Sequence, residues 1–182
     1  MIEERFFELI DPVVRALGAS REDGEEFRAP LLDVHRYYRR PIRTSWVPLL
    51  GRGLSVVAVA RQPLDVPSSE AGYRTLLGRL AMAANGRFPP SLRAGLTLGL
   101  TAVVLTSEPI TPDDESTLAK VIDGRALPRQ RAVPLGLIRV SLGQEAVAFA
   151  LATGPPGLFP EPVALADALT PHFRRFVPML KW

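Results

Sequence analysis

A chain of 182 residues, 47% hydrophobic and without cysteine, is long enough to bury one core and too apolar to be disordered. It excludes disulfides, thiolate metal sites and a cysteine nucleophile. Its charge is segregated: residues 1–34 carry nine acids and four arginines, residues 35–94 carry ten arginines against Asp65 and Glu70, and residues 95–182 carry eight of each sign, for a net +3.

The first apolar stripe is Phe6, Ile10, Val13, Val14 and Leu17, a helix over Glu3–Leu17 that Pro12 either starts, with Asp11 as its cap, or kinks. Residues 18–27 read as a polar loop. The run 28–43 alternates and is bracketed by Pro30 and Pro41, as expected of an edge strand. Ser45–Leu50 and Leu54–Arg61 then read as a hairpin across Gly51-Arg52-Gly53, the second of them apolar on both faces and hence internal.

Ser68 or Ser69 caps a helix with Tyr73, Leu76, Leu77, Leu80 and Ala84 inward, stopped at Asn85-Gly86. Leu96–Thr106 is a second internal strand. Thr111-Pro112-Asp113-Asp114-Glu115 opens a short helix with Leu118, Val121 and Ile122 inward, ending near Gly124. Leu135–Leu142 and Glu145–Thr153 read as a hairpin turned by Gly143-Gln144. In the second of these, Val147, Phe149 and Leu151 alternate with an alanine row, which favours strand over a competing helix. After the break at Gly154-Pro155-Pro156-Gly157, Pro162 opens a final helix with Ala166, Leu169, Phe173, Phe176, Val177 and Leu180 inward, split at Thr170-Pro171.

The order α-(β)-β-β-α-β-α-β-β-α predicts a single α+β domain over residues 1–182: a mainly antiparallel sheet of about five strands with three or four packing helices. In topology alone this resembles the secretion-chaperone-like and roadblock/longin-like folds, which serve mostly as binding modules; no motif backs the likeness. The helix–three-strand–helix–strand order of residues 2–106 also resembles the core of restriction-type nucleases. Their metal site needs an acid followed by Glu-x-Lys on the next strand, and here that strand reads Val56-Val57-Ala58-Val59-Ala60.

Chemistry-bearing patterns are few. No phosphate-cradling glycine loop is present, and Lys120 and Lys181 are the only lysines. His35 and His172 have no metal-ligand spacing, and no Gly-x-Ser-x-Gly elbow marks a nucleophile. His35 beside Asp33 is an i, i+2 pair that can orient an imidazole for general-base work. The sharpest feature is the segment His35–Trp46. Its Arg36, Tyr38 and Arg40 share one strand face and Tyr37 and Arg39 the other, with Arg43 and Trp46 following. Interleaved rings and guanidinium groups can stack on bases and hold phosphates, or shield an edge strand and pair with the acidic first segment.

The expectation is a non-enzymatic module, adaptor- or chaperone-like, that binds another protein or a second copy of itself through Arg36, Tyr37, Tyr38, Arg39, Arg40, Arg43 and Trp46. No metal and no cofactor are expected. The alternative is a nucleic-acid-binding domain using residues 36–43, joined by Arg52, Arg61, Arg87 and Arg93 if these converge; a second alternative is a hydrolase using His35 and Asp33. The arginine-rich, alanine-rich composition is of a bacterial kind and matches a GC-rich coding bias. Met1-Ile2-Glu3-Glu4-Arg5 lacks the basic start of a signal peptide, and the apolar run Gly95–Leu105 is far shorter than the ~20 residues that span a bilayer. A cytoplasmic location away from membranes is expected.

Overall fold

The computed structural model describes residues 2–23, 32–42, 52–87, 96–123, 132–152 and 159–175. Its elements are α1 (Ile2–Ala16), β1 (Ser20–Asp23), β2 (Asp33–Ile42), β3 (Arg52–Arg61), α2 (Glu70–Gly86), β4 (Leu96–Thr106), α3 (Asp114–Ile122), β5 (Ala132–Ser141), β6 (Ala146–Leu151), α4 (Glu161–Leu169) and β7 (Arg174–Arg175). The class is α+β, as expected, with four helices. The sheet is larger than expected and mixed: seven strands stand in sequence order from β1 to β7. The pairs β1–β2, β2–β3 and β5–β6 are antiparallel. The pairs β3–β4 and β4–β5 are parallel, because α2 and α3 each carry the chain back across the sheet before the next strand.

Two cores lie on the two faces of this sheet. On one, Leu76, Leu77 and Leu80 of α2 and Leu118 and Val121 of α3 pack on Tyr37, Val56, Ala58, Leu100, Ala102 and Leu137. On the other, Phe6, Ile10 and Val14 of α1 and Leu165 and Leu169 of α4 pack on Tyr38, Val57, Val59, Val103, Ile138 and Val140. β3 and β4 are covered on both sides, which is why they read as unbroken apolar runs. The alanine row of β6 (Ala146, Ala148, Ala150) lies in the first core, beside α3.

Several local expectations are corrected. α1 runs through Pro12, whose ring is exposed, so the missing N–H faces water. The helix ends instead at Gly18, with φ +83°; the Gly18 N–H donates to the Arg15 carbonyl at 2.9 Å, a left-handed cap that turns the chain back along the sheet. The polar stretch taken as a loop contains β1, which pairs with β2 from Ser20↔Arg39 to Asp23↔Arg36. β2 is therefore not an edge strand, and Pro41 lies beyond the last β1 pair, where a proline disturbs least. β3 pairs with β2 rather than with Ser45–Leu50, which lies outside the described residues.

The strand reading of residues 145–153 holds for Ala146–Leu151, and the turn before it is longer, spanning Leu142–Glu145. The final helix stops at Thr170, and Arg174–Arg175 form a two-residue strand parallel to β6. Phe176, Val177 and Leu180 lie outside the described residues, as does Gly154–Gly157. No helix among the described residues is long and apolar enough to cross a membrane.

Candidate functional site

The ends of three adjacent strands build the site. Where β3, β4 and the β5–β6 turn finish on the same side of the sheet, with the N-terminal turn of α1 beside them, they surround an open cleft of about 850 Å³. Its walls include Glu3, Arg61, Gln62, Leu64, Thr106, Glu108 and Leu142. The C-terminal ends of parallel strands recur as binding positions because connecting loops diverge there and leave room. Leu64 projects from the lip fully exposed.

A hydrogen-bonded chain fixes the cleft floor. The Gln62 N–H donates to the Leu105 carbonyl at 2.8 Å, extending the ladder one residue past β3. Gln62 Nε2 donates to the Val66 carbonyl and to Ser68 Oγ, both at 2.9 Å, which bends residues 62–68 into the lip. Ser68 donates in turn to the Glu108 carboxylate. Glu108 also accepts from Arg139 at 3.1 Å, while the other arm of Arg139 donates to Asp114 at 2.6 Å. Asp114 accepts as well from the Thr111 N–H at 2.6 Å and its hydroxyl at 3.1 Å. It serves as the buried partner of Arg139 and not merely as a helix-start acid. Behind this chain Tyr73 is fully enclosed, and burial pushes its phenol above the ordinary range.

A second cluster borders the cleft through Glu3 and Arg61. His35 Nδ1 lies 3.2 Å from Glu3 and Nε2 lies 3.4 Å from Asp33. Arg61 reaches the same two carboxylates at 3.6 and 4.0 Å. Both ring nitrogens thus lie near carboxylates, and Nε2 is buried without a hydrogen bond. Among the described residues no hydroxyl bonds to either nitrogen, and no group of three or more side chains is placed to hold a metal ion. β3 carries no acid, so the nuclease-like element order comes without the nuclease's ligands. His172 is exposed just past α4.

The arginine–tyrosine segment is distributed through the fold. Tyr37 and Tyr38 are fully buried on opposite faces of β2. The Arg87 guanidinium lies 5.6 Å from the Tyr37 ring centre. Tyr38 donates its hydroxyl to Asp11, and burial, reinforced by that carboxylate, pushes its phenol well above the ordinary range. Arg36 stacks on Phe7 at 4.3 Å and donates to the His35 carbonyl. Arg40 donates to the buried Glu161 at 2.5 Å, tying β2 to α4. Arg39 is exposed. Arg43, Trp46 and Arg93 lie outside the described residues, as does the side chain of Arg52. Among the described residues Arg36 and Arg40 lie on one face, Arg87 on the other and Arg61 at a strand end, so they form no single patch.

Of the cleft residues the sequence had pointed to Arg61, as one of the arginines of the nucleic-acid alternative. One signal was there: Arg139 is a lone charge inside an apolar strand, which implies a buried acidic partner. Nothing local marks Gln62, Leu64 or Glu108, because the cleft exists only once three strand ends are adjacent. No family model, curated protein or solved structure matches the chain.

Proposed function

We propose that the protein is a non-enzymatic binding module that takes a short segment of a partner protein into the cleft at the ends of β3, β4 and β5. One observation carries this reading: an open cleft of about 850 Å³ whose lip presents Leu64 wholly to solvent between Pro63 and Pro67. A large apolar side chain on a proline-stiffened lip loses little conformational freedom when a partner covers it.

The surroundings support binding over catalysis. Among the described residues no hydroxyl bonds to either nitrogen of His35, so no nucleophile–base pair is in place around it. The nucleic-acid alternative receives little support from Tyr37 and Tyr38, whose rings are out of reach of a base, or from Arg36 and Arg40, which are engaged within the fold.

Selection of a random phage-displayed peptide library against the immobilised protein tests the reading. The expected result is a set of peptides that bind the native chain and lose at least tenfold in affinity to Leu64→Asp, with the melting temperature of that variant unchanged. Failure to enrich any peptide, or binding indifferent to Leu64→Asp, would sink it. A single-stranded oligonucleotide whose binding falls steeply with salt would favour the nucleic-acid reading instead.

A further inference from the structure

We infer that His35 is a proton-operated clasp between α1 and β2: with a proton taken up, its ring donates to Glu3 of α1 and Asp33 of β2 together, and with the proton lost the start of α1 loosens. The clasp is independent of what the cleft takes. Placement of the ring is the first ground. The β2–β3 register slips between Val34, opposite Ala60, and Arg36, opposite Val59, which leaves His35 as the extra residue of a β-bulge. Regular alternation would put residue 35 on the Tyr37 face of β2, away from α1. The bulge instead turns it onto the α1 face beside Arg36, its ring centre 6.3 Å from that of Phe7.

Hydrogen-bond valence is the second ground. Glu3 Oε1 stands 3.2 Å from Nδ1 and Asp33 Oδ2 stands 3.4 Å from Nε2, yet Glu3 Oε1 and Nε2 are both buried without a hydrogen bond. An ionised carboxylate only accepts, and a neutral imidazole has a single N–H. A neutral ring between two carboxylates therefore turns a lone pair on one of them, whereas an imidazolium meets each with an N–H. Two cations oppose the proton. Arg61 of β3 lies 3.6 and 4.0 Å from the same carboxylates, and the Arg36 guanidinium lies 4.3 Å from the Phe7 ring centre. The acids stand at the ring nitrogens themselves, and the Arg61 side chain is 57% exposed, so water and salt screen it. Glu3 belongs to the first turn of α1 and also lines the cleft, so one proton fixes both the start of the helix and that wall. The clasped form holds the proton better than the loosened one, so the stability it adds is present on the acid side and is lost as pH rises.

Nitrogen-15 NMR of the ring, followed together with amide hydrogen exchange of Phe6 and Phe7, tests the clasp; these are the first amides that α1 bonds to its own first turn. On acidification from about pH 8 to about pH 5.5, the span in which imidazoles ordinarily charge, both ring nitrogens should become protonated and both protection factors should rise about threefold in step. The rise should vanish in His35→Gln. It should vanish as well in Glu3→Gln, which keeps the ring and its titration and decides the matter even if His35→Gln does not fold. A ring that titrates while the protection factors stay level overturns the clasp. A rise that survives either substitution belongs to another group and overturns it too.

Discussion

Arg139 shows how much one side chain decides. It is 2% exposed in the middle of β5 and divides its donors between Asp114 and Glu108. Removing one partner of such a group leaves an uncompensated charge in a low-dielectric setting, typically at a cost of 3–5 kcal/mol. Arg139→Met should therefore destabilise the fold by about 3–5 kcal/mol in urea unfolding. The double variant Arg139→Met/Asp114→Asn should recover about half of this, because asparagine keeps an oxygen for Thr111 and drops the charge. Asp65 offers a milder case at the surface. Two hydrogen bonds from Arg79, at 2.7 and 3.3 Å, hold its carboxyl below the usual range. A depressed carboxyl contributes stability above its ordinary pKa of about 3.9 and loses it as pH falls through the folded value. The Asp65 carboxyl resonance should thus titrate below the usual midpoint in the native protein and return to it in Arg79→Ala. The sequence marked Asp65 and Arg79 only as charges; their pairing depends on the bend at residues 62–68.

Elements with strong local signals were legible. α2 begins at the Ser69 cap, whose hydroxyl accepts from the Gly72 N–H at 3.2 Å, and its buried stripe follows the expected spacing. β4 has the expected bounds because an unbroken apolar run admits little else. β1 was missed because Ser20-Arg21-Glu22-Asp23 has no apolar alternation; only its main-chain ladder makes it a strand. The parallel pairs were missed for another reason. Periodicity identifies a strand but not its neighbour, and Gly51-Arg52-Gly53 offered a plausible turn to the wrong partner. One glycine carries a prediction of sign. In an ordinary helix Gly→Ala stabilises by about 1 kcal/mol, but a β-carbon on Gly72 would stand 2.1 Å from the Pro67 carbonyl oxygen, a backbone atom. Gly72→Ala should instead lower stability by about 1–3 kcal/mol, read from the urea midpoint. A more stable variant would mean that the lip does not lie against α2 as described.

At the scale of the molecule, the feature most conspicuous in the sequence and the feature most suited to binding are different. His35–Trp46 stood out for its rings and arginines, yet β2 sits inside a three-layer stack, so both of its faces become core and both tyrosines disappear. The cleft draws on residues from Glu3 to Gly143, a span over which no spacing rule operates. The flanks of the sheet have a further consequence. Among the described residues it ends on one side in Ser20–Asp23, three of them charged, and on the other in two arginines, Arg175 being clamped to Glu115 at 2.6 Å. A broad hydrophobic sheet normally invites its own kind to dock sideways and grow into fibrils. Here the described margins carry charges that are poor templates for such growth, so crowding the protein should favour dispersal over stacking.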